Sequence, residues 1–332
     1  MSVRPGMTEV VPIGLDAVEF VGSRLARPEC VLCTSAGDVF AADRRGGVSH
    51  IMPDGTQRIY AGGTFDLSGP LLTNGVALDR DGSFLVTHLA EGEGGVFRLH
   101  RDGRLLPVLR DVDGIELHVT NFVLLDTRDR LWITISTRHC PRIKSFRPGV
   151  DDGYIVLLDQ HGARIVADGL GFTNECRIDP SGKWLYVNET YSRRLTRFRL
   201  AEDGGLSQRE TVMEFGPGDF PDGLAFDVEG GLWVTCILSN RLIRIGADGK
   251  PAVLLDDSNA DHIQEVERAY QTGTLDRALL DRKAWTTLAH ISSIAFAGPR
   301  LDMAYLGVLL SDRLPRIPMP VRGVRPVHWE WR

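Results

Sequence analysis

The sequence predicts an all-β fold: a six-bladed β-propeller of four-stranded antiparallel blades, with a short helical insertion between blades 5 and 6. Three observations predict it. First, one motif recurs: "NECRIDPSGKWLYVN" from Asn174 matches "DGLAFDVEGGLWVT" from Asp222, "NFVLLDTRDRLWIT" from Asn121 and "NGVALDRDGSFLVT" from Asn74. Second, the copies are followed by further hairpins with Asp-Gly turn signals, such as "GVFRLHRDGRLLPVL" and "RLIRIGADGKPAVLL", so a unit holds four short strands and no helix. Third, 36 Gly and 17 Pro in 332 residues suit a turn-rich β architecture.

Taken in order, each strong copy begins with Asn or Asp and carries an Asp five residues later (Asp79, Asp126, Asp179, Asp227), with Gly or Asp at the turn before the next apolar strand. Weaker copies start at Glu29 ("ECVLCTSAGDVFAAD") and Ser292 ("SSIAFAGPRLDMAYLG"). Six copies make six blades, and a closed ring leaves only short protected edges, whereas a solenoid would need polar caps that the chain does not show. The whole chain, 1–332, reads as a single propeller domain. Two spacings are longer than the rest. One contains a polar, basic insertion, 136–153, inside the third repeat. The other contains residues 257–290, where Ile263, Val266 and Tyr270 recur at helical spacing after Ser258. These insertions are either surface decoration or walls of a pocket. The C-terminal "VRPVHWEW" alternates like a strand and is expected in the last blade or at its closure by the N-terminal segment.

The charge of −6, with basic residues scattered among acidic ones, argues against a nucleic-acid partner. No stretch approaches the ~18 apolar residues of a membrane span, and the opening Met1 to Val10 lacks a secretory pattern, so no membrane partner and a cytoplasmic location are expected. Five scattered cysteines fit reduced thiols; Cys30 and Cys33 form a CxxC without a second pair and read as strand-packing residues rather than a zinc site.

Because the first strand of each blade lies nearest the axis, one register should converge at the centre: Glu29, Asn74, Asn121, Asn174, Asp222 and Ser292. All six offer oxygen. Carboxylates and amides gathered in a low-dielectric channel need a cation or full hydrogen bonding. An all-oxygen set suits a hard divalent ion, Ca²⁺ better than Mg²⁺, with Mn²⁺ and Zn²⁺ as alternatives. Glu175, next to Asn174, should face away from the axis by strand alternation, at the pocket rim or paired with a basic residue of the 136–153 insertion.

The chain resembles the SMP-30/gluconolactonase/LRE family of six-bladed, metal-dependent hydrolases from about Pro28 to His328, most specifically in "FPDGLAFDVEGGLWVT", "GLGFTNECRIDPSGKWLYVNET" and "PECVLCTSAGDVFAAD". The resemblance implies that Glu29, Asn121, Asn174 and Asp222 bind one metal ion. It implies hydrolysis of a lactone or other small ester, or less often of a phosphotriester. Asn74, Glu175 and Ser292 are then candidates for substrate contact. Cys30-Val31, Phe122 and Glu175 stand where the family commonly has Gly-Pro, Asp and Gly, and no Arg stands near Val119; these departures bear on the substrate. Asp222 is the first candidate for activating water, followed by His118 and His139. There is no G-x-S-x-G, and Ser136 lacks an identifiable base, so a serine mechanism is disfavoured. The reading from another class is a non-catalytic, metal-stabilised binding propeller.

Overall fold

The computed structural model describes residues 10–63 and 67–331; the segment before Val10, read above for a secretory signal, and Arg332 lie outside it. Six four-stranded antiparallel sheets follow one another, each running from an inner to an outer strand. The inner strands are Val31–Cys33, Thr73–Leu78, Thr120–Leu125, Thr173–Ile178, Pro221–Phe226 and Ile291–Ala297. Each touches the inner strands of the blades before and after it, and the first touches the sixth. The ring is closed, as the repeats predict.

Closure comes from the N-terminal side alone. Glu19–Val21 pairs antiparallel with Leu314–Pro318 as the outermost strand of blade 6, Glu19 facing Arg316. The C-terminal stretch expected to be a strand is not one. With that edge taken, and with Pro326 unable to donate to a ladder, the chain leaves blade 6. It bridges at Gly323 to Asp227 and runs across the far mouth of the channel, Val324 N–H donating to Phe226 O at 3.0 Å and Ser35 N–H to Trp329 O at 2.7 Å. Val324 to His328 there wall an apolar cavity of about 370 Å³.

In the four units that carry it, the recurring Asp explains why the chain turns where it does. Asp126 accepts from the backbone N–H of Arg128 (2.8 Å) and Arg130 (3.0 Å), from Arg130 Nε (2.7 Å) and from Trp132 Nε1 (2.9 Å). Asp227 does the same for Glu229, Gly231, Trp233 and Arg244. One carboxylate thus closes the inner hairpin and pins an indole that is fully buried between blades.

The helical insertion forms α1 (Ala260–Thr272) and α2 (Arg277–Leu280). Asn259, not Ser258, caps α1, its side chain accepting from His262 N–H at 3.0 Å, and Gly273 at φ 68° ends it. The buried face is His262, Val266 and Tyr270, with Ile263 only half-buried. Val266, Tyr270, Leu275 and Leu280 pack with Phe146 of the 136–153 insertion against Phe172, Tyr191 and Phe220. Phe172 and Phe220 immediately precede inner strands, so both insertions lie on the face where those strands begin. All five cysteines are free thiols, Cys30 and Cys33 buried in blade 1. Among the described residues no helix is long and apolar enough to cross a membrane.

Candidate active site

Every residue of the predicted register stands at or just before the start of an inner strand, and none of the six is more than 7% exposed. Asn74 Nδ2 donates to Glu29 Oε1 at 2.8 Å, and to Asn121 O and Oδ1 at 3.1 and 3.3 Å, while Ser292 Oγ donates to Glu29 O at 2.9 Å. Asn121 Nδ2 is held by Ser136 Oγ at 3.0 Å and Asn174 Nδ2 by Thr190 Oγ1 at 3.1 Å. With their nitrogens engaged, both amides have an oxygen left to offer.

The carboxylates set the electrostatics. Burial, then the charges of Glu29 and Glu175, push the Asp222 carboxyl well above its usual range, against Arg27 and a hydrogen bond from Asn174. Arg27 forks onto Glu29, with Nε and Nη2 at 3.1 and 3.0 Å from Oε2. Such an acidic, amide-lined centre is what a divalent cation neutralises. Among the described residues no group of three or more His, Cys, Asp or Glu gathers to hold a metal; the donors that fit are two carboxylates, Glu29 and Asp222, and two amide oxygens, of Asn121 and Asn174.

Glu175 departs from expectation. The ladder of blade 4 shifts register between Thr173 and Cys176, which breaks the alternation that would have turned Glu175 away. Its carboxylate is buried and pairs with Arg177 at 2.9 Å, accepts from Leu224 N–H at 3.4 Å and acts on Asp222, and among the described residues no hydrogen bond or ion pair joins it to the insertion. Burial raises its pKa although Arg177 opposes the rise. Asn74 and Ser292, read as substrate contacts, direct their hydrogen-bond donors into the protein, at Glu29 and Asn121.

The histidines divide. His118 is half-buried just before the inner strand of blade 3, its Nδ1 buried without a hydrogen-bond partner among the described residues. His139 lies in the insertion, 3.5 Å from Asp152, in a surface groove with Arg147 and Leu275; no hydrogen bond joins it to the four candidate ligands among the described residues. The sequence reading missed Arg27 and His290, each two residues upstream of a register position. At that upstream position Arg27, Val119, Phe172 and His290 all have positive φ, from 44° to 62°, so the repeat extended by two residues would have found them. His290 is buried, stacks edge-on with Trp285 at 4.8 Å, has no partner for Nε2 among the described residues and is pushed down to about 3 by burial and by His262. It is neutral.

Comparison with known proteins bears on the fold and the family. A 6-deoxy-6-sulfogluconolactonase of Pseudomonas putida is 29% identical over 192 residues, 52% of this chain and 63% of that protein. The chain thus spans less than two thirds of the length of the curated relatives it matches. Among solved structures, a gluconolactonase of Xanthomonas campestris superposes with a TM-score of 0.67 at 18% identity, covering 96% of this chain and 99% of that one. Regucalcin of Agrobacterium tumefaciens, a calcium-binding protein, gives 0.65 at 15%, covering 95% and 96%. The family model for the SMP-30/Gluconolactonase/LRE-like region matches residues 30–256. With the closed six-bladed ring and the acidic centre in place, that match concludes the matter of kinship: the chain belongs to the SMP-30/gluconolactonase/LRE-like family.

Proposed function

We propose that this protein hydrolyses a lactone, using one divalent ion held by Glu29, Asn121, Asn174 and Asp222. The observation that carries the reading is the pair of buried carboxylates, with Asp222 protonated more readily than an ordinary Asp because burial, then the charges of Glu29 and Glu175, outweigh Arg27 and the hydrogen bond from Asn174. Lactonase names among the relatives support the substrate class. Oxygen donors alone favour Ca²⁺.

When bound, the ion supplies positive charge to the carbonyl oxygen as it gains negative charge. Asn74 and Ser292 fix Glu29 through its carboxylate and its carbonyl, which holds the donor set in place before substrate arrives. Asp222 orients the attacking water and takes its proton on Oδ. The water oxygen bonds to the carbonyl carbon, the ring C–O bond breaks, and the proton passes to the departing ring oxygen, leaving a hydroxy acid. His118, with its free Nδ1, is the second candidate for this proton.

The test is proton release from a lactone panel by metal-loaded and chelated protein. Chelation should abolish the rate and Ca²⁺ restore it. Asp222→Asn should lower kcat by about a thousandfold while circular dichroism stays unchanged. A rate indifferent to chelation, or a fully active Asp222→Asn, defeats the reading.

A further inference from the structure

Three distant parts of the chain bring arginines to the face on which Glu29 and Asp222 stand. Arg27 precedes blade 1, Arg142 lies in the 3-10 turn Arg142–Ser145 of the first insertion, and Arg277 opens α2 in the second. The elements that carry Arg142 and Arg277 pack together there: Phe146, next to the turn, and Leu280 of α2 join Phe172, Tyr191 and Phe220 in one cluster, Phe146 stacked on Tyr191 at 4.4 Å, and the charges of Arg277, Arg142, Asp222 and Arg27 all act on the buried Tyr191 hydroxyl. The side chains of Arg27, Arg142 and Arg277 are 13%, 17% and 37% exposed.

Like charges held together and half-desolvated are costly unless an anion answers them. The available carboxylates do not. Arg277 has Asp281, Nε to Oδ2 at 3.1 Å. Arg142 has among the described residues only Glu91, at 3.8 Å, beyond hydrogen-bond reach. Arg27 leans on Glu29, which a bound cation would share. With Glu29 and Asp222 balanced by a divalent ion, the mouth keeps a surplus of positive charge. Within the field of Arg27 lies neutral, buried His290, its Nε2 without a partner among the described residues. At the same register in blades 3, 4 and 5 stand the buried apolar residues Val119, Phe172 and Phe220.

We propose that the substrate is a lactone bearing a negatively charged substituent, a carboxylate, sulfonate or phosphate ester. Its carbonyl seats over Glu29 and Asp222, its anionic group on Arg142 and Arg277, with Arg27 between and His290 accepting a ring hydroxyl. Guanidinium forks match the planar or tetrahedral oxygens of such groups and, half-desolvated, bind them more strongly than in water. The inference rests on the lactone reading above and adds the charge of the substrate to it.

The experiment compares δ-gluconolactone with the same ring carrying a carboxylate in place of its hydroxymethyl group. Wild-type protein should favour the charged ring in kcat/KM by about tenfold or more, and Arg142→Met or Arg277→Met should each cut that preference about tenfold, chiefly through KM. Added salt should weaken the preference. If both rings react alike, or if the variants keep the preference, the anion site is overturned while the lactone reading stands. If neither ring reacts, calorimetry with tetrahydropyran-2-carboxylate decides the site by itself. Binding that Arg142→Met and Arg277→Met abolish sustains it, and no binding to the metal-loaded wild type overturns it.

Discussion

At the scale of single residues, Glu175 shows how a one-position error in direction changes a role. Alternation along a strand turns neighbours to opposite sides, but the register shift in blade 4 puts Asn174 and Glu175 both in the central region. Glu175 then serves Arg177, whose guanidinium also lies over Phe122, 4.6 Å from the ring centre. Breaking such a buried pair strands the other charge. Glu175→Gln should cost about 3 kcal/mol, and the double change Glu175→Gln with Arg177→Met should recover part of it. Urea denaturation of the four proteins checks this; strictly additive losses would mean the two charges do not interact. Glu29, Asn74, Asn121, Asn174, Asp222 and Ser292 were legible as one central set because a repeat aligns them. Arg142 and Arg277 were not, because they sit in insertions that have no copies elsewhere in the chain to align with.

At the scale of the hairpin, the Asp five residues beyond four of the six register positions was legible as a turn signal, and its reach into the core was not. Asp126 answers two backbone N–H groups, a guanidinium and an indole while only 4% exposed. Asp126→Ala leaves Trp132 Nε1 and Arg130 Nε without their acceptor and should destabilise by about 3 kcal/mol. Asp79, half-buried, holds Arg80 N–H and Arg98 and no indole, so Asp79→Ala should cost clearly less. Thermal midpoints of the two variants decide it; equal losses would show that the turn, not the buried network, is what the Asp provides. The insertion helix was legible from its period, with its start off by one because Ser258 and Asn259 are both good caps. The C-terminal segment misled: its alternation is real in the sequence, but a strand also needs a free edge, and Glu19–Val21 occupies it.

At the scale of the whole ring, the ion proposed above would tie blades 1, 3, 4 and 5 through one point, so its removal should be felt as stability. The sign follows from Asp222. Burial and the neighbouring carboxylates raise its pKa in the folded protein, so between the unfolded value, about 4, and the raised one the folded state holds the extra proton. This group's contribution therefore declines as pH rises through that window, and above it the buried, uncompensated charge weighs fully on the metal-free protein. Asp222→Asn removes that weight. Metal-free, the variant should melt above metal-free wild type at pH 7, and the difference should shrink as pH falls towards about 4. Carboxylates whose pKa is lowered, such as Asp43 and Asp159, pull the other way, but they are common to both proteins and cancel in the comparison. With Ca²⁺ at a hundred times its dissociation constant, wild type should gain about 2.7 kcal/mol and the variant much less. Calorimetric scans of both proteins, with chelator and with Ca²⁺, across this pH range make the test. A metal-free Asp222→Asn that is less stable than wild type at neutral pH would mean that Asp222 is already satisfied within the protein, and the centre would then have no need of an ion.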